Sequence, residues 1–375
     1  MSSSRSTRNQ PGWGKPLRLL LRLMLMGVGL GVITGSGLKL LAPQVQKGQL
    51  SLPPWLTLPG SGSEPKIPSP TRALLKAVGQ PWGNNLGRFE PKQEVAALSE
   101  RWRQLAAQQK DLKVSAFLLV LDDGRFAELD ADVARPAASA IKTPILLAGL
   151  ERLDAGDLRW NEPLTMTKPL VGGGAGWMAN KPVGTRFPAY EVATEMIHLS
   201  DNTATNLLID RAGGQQAVNA RFTALGLTAT RINNWLPDLK GTNTTSARDL
   251  ARSIALVETG EVLSTRSRDL FREVMSTSRT NRLLPGGLLK GLGGEQGEPD
   301  KSLLQKGYRV YNKTGDIGIA YADAALIELP DGSRAVAAFL VQGPFNDPRS
   351  TDLIIDMAAA MAPILKPKAA PPRAN

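Results

Sequence analysis

Apolar and polar positions alternate along this chain in two rhythms, one typical of helices and one typical of strands. An apolar face that recurs every three to four residues predicts an amphipathic helix over residues 94–109. Continuous apolar runs bounded by turn residues predict strands, and an Asp-Asp-Gly turn joins the first two as a hairpin. The predicted strands span residues 114–121, 125–129, 308–312, 321–329 and 335–341.

Helical periodicity dominates the region between the early and the late strands. The predicted helices span residues 137–153, 189–199, 202–212, 215–225, 246–259 and 351–364. Strands at both ends with helices between them imply one antiparallel sheet assembled from distant segments. We therefore predict an α+β fold, an antiparallel β-sheet flanked by helices and accompanied by an all-helical region. The Gly-rich, charged stretch 286–306 is expected to be a surface loop or the rim of a cleft.

The N-terminal part of the chain has a different character. Residues 1–63 contain seven basic and no acidic side chains, so they carry +7 of the formal net charge of +11. These charges surround an apolar stretch, 17–42, whose charge-free centre is 16 residues long. Because Arg22 and Lys39 can extend the span towards the interface, we favour an uncleaved transmembrane anchor, with a cleaved signal peptide as the alternative. Basic residues placed in this way indicate membrane topology and argue against nucleic-acid binding.

These patterns divide the chain into five parts, and the predicted anchor sets their location. The folded domain is expected outside the cytoplasm, in the cell envelope on the periplasmic side of the inner membrane, and we expect a monomer. The parts are a basic cytoplasmic tail (1–16), the transmembrane anchor (17–42), a Pro/Gly-rich linker (43–92), the folded domain (93–365) and a disordered C-terminal tail (366–375).

The composition restricts the chemistry that a catalytic site can use. The chain contains one histidine, His198, and no cysteine, so a cysteine nucleophile is excluded and a Ser-His-Asp triad depends on that one side chain. We expect His198 to be a packed or hydrogen-bonded helix residue. Zinc sites draw mainly on Cys and His, so we predict no metal. The base of an enzyme of this composition is a lysine or a carboxylate.

A Ser-x-x-Lys motif supplies such a base at Ser139 and Lys142. Positions three apart lie on the same face of a helix, so the Lys142 amine can lie beside the Ser139 hydroxyl. Pro144 is tolerated only near a helix start, which indicates that Ser139 opens the helix. There the helix dipole stabilises negative charge on the nucleophile. Taken alone, this motif also fits an ordinary helix start.

Two further motifs follow in the chain. Ser200-Asp201-Asn202 lies between two predicted helices, where a hydroxyl can relay protons and an amide can hold a carbonyl, although these residues are also good helix caps. Lys313-Thr314-Gly315 follows a predicted strand, where Gly315 permits close backbone approach and the other two offer donors to a carboxylate. Read alone, the third motif is a solvated strand end.

The three motifs together resemble the penicillin-recognising serine hydrolases, and most closely the class A β-lactamases. The resemblance extends over roughly residues 93–365 and implies no cofactor. It implies a β-lactam or a D-alanyl-D-alanine peptide as substrate. The resemblance implies that Ser139 is the acylated nucleophile, with Lys142 as its base. It implies that Ser200 relays protons and that Asn202 contacts substrate and lysine. It also implies an oxyanion hole from the backbone N–H groups of Ser139 and Asp316, and a carboxylate anchor from Lys313 and Thr314, beside Gly315.

The sequence departs from the class A pattern in two places. A loop glutamate that activates the deacylating water is expected where Leu236 stands, and Asp238 is the only carboxylate in this shorter loop, 230–240. No arginine follows Gly315 closely, so we consider Arg279 or Arg282 as the substrate carboxylate contact. Acylation needs none of these residues, whereas turnover of the acyl-enzyme needs a positioned water.

Three functions therefore remain open at this point. The first is a β-lactamase-like acyl-serine hydrolase, slow if Leu236 leaves the water unactivated. The second is a membrane-anchored D,D-peptidase or esterase that acts on peptidoglycan peptides. The third is a catalytically retired protein that binds muropeptides or antibiotics. The intact nucleophile and relay favour the first two, and the missing glutamate favours the last two.

Overall fold

The computed structural model describes residues 89–295 and 297–367, and one six-stranded sheet organises them. The strand order is β1-β3-β2-β10-β9-β8, and every neighbouring pair is antiparallel except the short β1–β3 pair. Its strands are β1 (Gln93–Glu94), β2 (Lys113–Val120), β3 (Arg125–Leu129), β8 (Arg309–Asp316), β9 (Ala320–Glu328) and β10 (Arg334–Gln342). Two small ladders pair β4 (Arg135–Pro136) with β7 (Thr244–Thr245), and β5 (Pro163–Thr165) with β6 (Arg186–Pro188).

The sheet separates two hydrophobic cores, because the central strands are buried on both faces. In β2, Phe117 and Leu119 belong to one core, whereas Leu118 and Val120 belong to the other. This double burial explains why the strands read as continuous apolar runs rather than as alternating patterns. The larger core joins the sheet to the helices of the middle region, and the smaller one packs under the first and last helices.

Ten α-helices lie in the described residues, and most begin and end near the predicted positions. A cap often explains the start: the Asp201 carboxylate accepts from Ala204 N, and Ser246 accepts from Asp249 N. The helices are α1 (Ala96–Ala107), α2 (Lys142–Asp154), α3 (Ala189–His198), α4 (Asn202–Arg211), α5 (Gly214–Ala224), α6 (Ala247–Thr259), α7 (Thr265–Ser276), α8 (Leu284–Gly291), α9 (Pro299–Gln305) and α10 (Pro348–Ala359).

The α+β prediction is confirmed, and the structure corrects three details. The Lys313-Thr314-Gly315 motif lies inside β8 rather than after its end, because β9 pairs with it as far as Asp316. Most of the stretch 286–306 forms α8 and α9 instead of a loop, since Leu288, Leu289 and Leu303 are buried in the smaller core. The last helix ends at Ala359 and is followed by turns.

The predicted basic tail (1–16) and anchor (17–42) lie outside the described residues, as do most of the predicted linker and C-terminal tail. Within the part of the chain that the structure describes, no helix has both the length and the apolar character needed to span a bilayer.

Candidate active site

Ser139 lies in a 3-10 turn, Ala138–Ile141, that runs directly into α2. The backbone enters this turn through Ala138 at φ 45°, in the left-handed region that a residue with a side chain rarely adopts. Strand β8 passes so close that a Cβ on Gly315 would lie 2.8 Å from the backbone nitrogens of both Ser139 and Ala140. Glycine is therefore required at 315, and the close approach joins the first motif to the third.

The Lys142 amine lies at the centre of the site and is fully buried. Its Nζ lies within hydrogen-bond distance of Ser139 Oγ (3.0 Å), Ser200 Oγ (2.9 Å), Ser200 O (2.6 Å) and Asn202 Oδ1 (2.9 Å). Burial, assisted by the positive charge of Lys313, holds the pKa of the Lys142 amine well below its usual range, and Asp201 opposes this lowering. A lowered pKa keeps more of the amine neutral at ordinary pH, so its lone pair is available to take a proton, as a general base requires.

Ser200 and Asn202 reach Lys142 because of the sharp turn between α3 and α4. Ser200 has φ 58°, which directs both its carbonyl and its hydroxyl towards the amine. Asn202 opens α4, and its Nδ2 donates to Gly173 O at 2.8 Å while its Oδ1 accepts from Lys142. These two partners fix the orientation of the amide. The second motif is thus both a helix cap, through Asp201, and a set of contacts to the lysine.

Asp201 attaches the glycine-rich loop 172–178 to this turn. Its Oδ2 accepts from the backbone nitrogens of Trp177 at 2.7 Å and Met178 at 2.8 Å. A Cβ on Gly176 would lie 2.1 Å from the same oxygen, so the contact requires glycine at that position. The indole of Trp177 donates to Glu195 Oε2 at 3.0 Å and packs edge-on against Phe187, which assigns Trp177 to packing.

Lys313 lies behind the cleft on β8 and is also fully buried. Its Nζ donates to Thr314 O at 2.7 Å, and burial lowers the pKa of the amine to about 8. The Thr314 hydroxyl donates to Thr280 O at 3.0 Å, which places the segment after α7 beside the third motif. Arg279 precedes Thr280 and is exposed at this edge of the site, and Arg282 is exposed two residues further on.

A cleft of about 130 Å³ opens above Ser139. One wall comes from the nucleophile turn and the end of β8, and the opposite wall from the loop that contains Leu236. The lining residues are Ala138, Ser139, Gly174, Ala175, Asn202, Leu236, Pro237, Asp238, Leu239, Asn243, Asp316 and Ile317.

The polar groups of the loop wall are bonded within the protein. Asp238 is nearly buried, and its two oxygens accept from Thr242 Oγ1 at 2.8 Å and Asn243 N at 2.6 Å. Leu236 is held through its backbone by Asn206, whose amide donates to Leu236 O at 2.7 Å and accepts from Leu236 N at 3.0 Å. The loop is therefore braced at both positions.

The structure brings most of the predicted site residues together. Ser139, Lys142, Ser200 and Asn202 form one hydrogen-bonded cluster, and Asp238 and Asp316 line the same cleft. The third motif adjoins the cluster along β8, with Lys313, Thr314 and Gly315. Arg279 lies beside Thr280, whose carbonyl oxygen accepts from Thr314. Half-buried His198 contacts Thr277 O through Nδ1 at 2.7 Å, as expected of a hydrogen-bonded helix residue. The described residues contain no His, Asp and Glu grouping suited to a metal ion.

Three residues that support this site were not predicted from the sequence: Asn206, Asn312 and Asp323. Asn312 donates to Thr280 O at 2.7 Å and to Asp323 Oδ1 at 2.9 Å. Asp323 is the one acid within the otherwise apolar run 320–327, a pattern that the sequence itself shows. Nothing in the sequence indicated Asn206, because its role depends on the position of a distant loop.

Comparison with known proteins identifies the family. A family model described as the Beta-lactamase enzyme family matches residues 97–365, and the chain belongs to this family. A β-lactamase of Streptomyces cellulosae is 25% identical over 291 residues, which cover 74% of this chain and 87% of that protein. A β-lactamase of Bacillus licheniformis is 26% identical over 276 residues, which cover 72% of this chain and 81% of that protein.

Solved structures agree with this assignment. PBP-A is 40% identical, with a TM-score of 0.67, and the match covers 74% of this chain and 98% of PBP-A. A leucine-to-glutamate mutant of PBP-A, solved as an acyl-enzyme complex with penicillin G, has the same TM-score and identity over 73% of this chain and 98% of its own. The ancestral class A β-lactamase of Gram-negative bacteria is 24% identical with a TM-score of 0.61, which shows the shared fold.

Proposed function

We propose that this protein is a serine hydrolase that β-lactams acylate at Ser139 and that releases the acyl group slowly. The observation that carries the proposal is the Lys142 amine, which contacts the Ser139 and Ser200 hydroxyls at 3.0 and 2.9 Å while it is fully buried. A serine needs a nearby base to become a nucleophile, and a desolvated lysine meets this need without histidine.

The proposed acylation follows from these contacts. The Ser139 proton passes to Lys142 as Ser139 Oγ bonds to the lactam carbonyl carbon. The oxyanion receives hydrogen bonds from the backbone nitrogens of Ser139 and Asp316, which flank the close contact of Gly315 with the nucleophile turn. The lactam C–N bond then breaks, and its nitrogen takes the proton from Lys142 through the Ser200 hydroxyl. Lys313 and Thr314 hold the substrate carboxylate, with Arg279 at the rim.

Slow deacylation is proposed because the loop wall presents no carboxylate free to activate water. Leu236 occupies the position where the class A pattern has a glutamate, and the two Asp238 oxygens already accept hydrogen bonds from the loop itself. Hydrolysis of the ester at Ser139 then depends on a water without a dedicated base. The penicillin G acyl-enzyme of a PBP-A mutant supports the acylation half of this proposal.

Intact-mass spectrometry of the protein with penicillin G over time tests both halves. We expect the mass of the protein to increase by that of one penicillin G molecule. This covalent adduct should form quickly and be lost slowly after free antibiotic is removed. The absence of an adduct contradicts the proposal, and an adduct that disappears as fast as it forms contradicts slow release.

A D,D-peptidase that cleaves D-alanyl-D-alanine peptides is the second candidate, and the braced Leu236 loop favours it. A peptidase acyl-enzyme differs from a penicilloyl ester because its leaving group departs, which opens the cleft to water. Release of D-alanine from a D-alanyl-D-alanine peptide, lost when Ser139 is replaced by alanine, supports this candidate.

We also propose that residues 17–42 anchor the protein with this domain on the outer side of the inner membrane. Alkaline extraction of membranes from cells that express the full chain tests this anchor.

A further inference from the structure

Strand β9 buries a carboxylate directly behind the third motif. Asp323 lies opposite Thr314 in the β8–β9 register and is fully buried. Its oxygens accept from Asn312 Nδ2 at 2.9 and 3.2 Å and from Leu284 N at 2.9 Å. The proposed reaction assigns no part to this side chain. A buried acid is costly unless a charge or a set of donors compensates it, so its presence here needs a reason.

Among the described residues, one cation influences the charge of Asp323, and it does so without a direct ion pair. The charged group that influences it is Lys313 of β8, and its other partners are the neutral groups of Asn312, Thr314 and Leu284. In turn, Asp323 is the acid that raises the pKa of Lys313 against burial. Lys142 interacts with Lys313 and with Asp201, whose carboxylate accepts three backbone N–H groups. Among the described residues, neither buried lysine is within ion-pair distance of a carboxylate.

Asp323 also connects two parts of the cleft through hydrogen bonds. It accepts from Leu284 N at the start of α8, and its partner Asn312 donates to Thr280 O at 2.7 Å. The Thr314 hydroxyl donates to the same Thr280 oxygen. One carboxylate and one amide therefore hold the segment 280–284 against the strand that carries the substrate carboxylate anchors.

We propose that Asp323 is the positioning residue of the carboxylate anchor, because it supplies the counter-charge for Lys313 and fixes the segment 280–284 beside β8. This inference rests on the proposed function, in which Lys313 holds the substrate carboxylate. Asp323 contacts no substrate in this scheme. It acts through Lys313, and its loss weakens the capture of carboxylated substrates more than that of substrates without a carboxylate.

The titration behaviour gives the sign of the expected effect. Burial raises the pKa of Asp323 to about 7 and lowers the pKa of Lys313 to about 8, so the charge of each group near neutral pH depends on the other. Lys313 holds a carboxylate only while protonated, so acylation by a carboxylated β-lactam declines as pH rises through about 8. Loss of the negative charge at 323 lowers the pKa of Lys313 further and moves this decline to lower pH, by about one pH unit.

The test is the pH profile of the second-order acylation rate of Asp323→Asn and wild-type protein, measured with penicillin G and with its methyl ester. Asparagine keeps the size of aspartate and can still accept from Leu284 N. For penicillin G we expect the alkaline decline of Asp323→Asn to lie about one pH unit below that of the wild type. For the methyl ester, which lacks the carboxylate, we expect coincident profiles.

One control variant and one substitute variant keep the test decisive. Asp249→Asn removes another buried carboxylate whose pKa burial raises. Its Oδ2 accepts from Thr230 and Ala229 and neither lysine is among the groups that influence it, so the alkaline decline stays in place. If Asp323→Asn does not fold, Asn312→Ala replaces it. The Asn312 amide lowers the pKa of Asp323, so its removal weakens the counter-charge and shifts the decline in the same direction by less.

The outcomes separate this inference from the function on which it rests. No adduct on the wild-type protein overturns both. Adducts on both proteins, with coincident alkaline declines for penicillin G, overturn the role of Asp323 alone. Equal rate losses for penicillin G and its methyl ester also overturn it, because they show a general structural defect rather than a weakened carboxylate anchor.

Discussion

The two walls of the cleft use their polar groups in opposite ways. On the nucleophile wall, hydroxyl, carbonyl and amide oxygens from two distant motifs converge on the single amine of Lys142. On the loop wall, the Asp238 carboxylate and the Leu236 backbone are bonded to residues of the loop or behind it. One wall is arranged for proton transfer and the other for rigidity. Under the proposed function, this contrast accounts for fast acylation and slow deacylation within one cleft.

Removal of the nucleophile is the largest expected change. Ser139→Ala keeps the 3-10 turn and the contact with Gly315, but it leaves no oxygen to acylate, so we expect no penicillin adduct by intact-mass spectrometry. The hydroxyl is one of four acceptors of Lys142, so the fold should remain intact. A penicillin adduct that forms on Ser139→Ala as it does on the wild type contradicts the assignment of Ser139 as the nucleophile.

Removal of the base tests the same wall. Lys142→Met retains the buried apolar stem but has no amine, so we expect the acylation rate to fall by about 10²–10⁴-fold, the usual contribution of a general base. Exposed Lys168→Met provides the matched control and should acylate at the wild-type rate. Stopped-flow or quenched mass measurements give both rates. A rate within about twofold of the wild type for Lys142→Met assigns the base elsewhere.

A carboxylate added to the loop wall should make the two walls more alike. Leu236→Glu places a potential base where Leu236 lines the cleft, so we expect the adduct lifetime to shorten by about 10²-fold. Leu236→Gln has nearly the same size without the basic carboxylate, and its adduct should persist as long as that of the wild type. Equal shortening in both variants would show that loop distortion, not base catalysis, releases the acyl group.

The sequence predicted the nucleophile wall better than the loop wall, for a physical reason. Ser139 and Lys142 are one helical turn apart, and local geometry alone places them together. The brace between Asn206 and Leu236 joins residues that are 30 positions apart, and no local pattern reports it. Strand β2 was located within one residue, because burial on both faces gives an unambiguous apolar run.

Helix α8 shows why other elements were not predicted. Its sequence contains Pro285, Gly286 and Gly287, a composition that normally indicates a loop. A Cβ on Gly287 would lie 2.4 Å from Ile355 O of α10, so glycine is required for the close packing of these two helices. Tertiary contact therefore overrides the low helix propensity of glycine, and a single sequence does not reveal such a contact.

Loss of the hydrogen bonds between Asn206 and Leu236 should distinguish an effect on stability from an effect on the adduct lifetime. Asn206→Ala removes both hydrogen bonds to the Leu236 backbone, so we expect a loss of about 1–3 kcal/mol in the free energy of unfolding, measured with denaturant, and a changed adduct lifetime. Asn219 holds Ile232 through the same pair of bonds, at 2.7 Å each, and Ile232 does not line the cleft. Asn219→Ala should cost similar stability and leave the lifetime unchanged. Equal effects on lifetime would show that the whole loop, not Leu236, controls release.

The smallest effect is expected at Asp238, and it tests the contrast between the walls most directly. In Asp238→Asn, the side-chain oxygen can accept from Asn243 N while the new amide donates to Thr242 Oγ1, so both loop bonds survive. Because these bonds already engage both carboxylate oxygens, we expect an unchanged adduct lifetime by intact-mass spectrometry. If Asp238 instead activates the deacylating water, its loss lengthens the lifetime by about 10²-fold or more. Such a result would make the loop wall catalytic, and Leu236 would then no longer account for slow release.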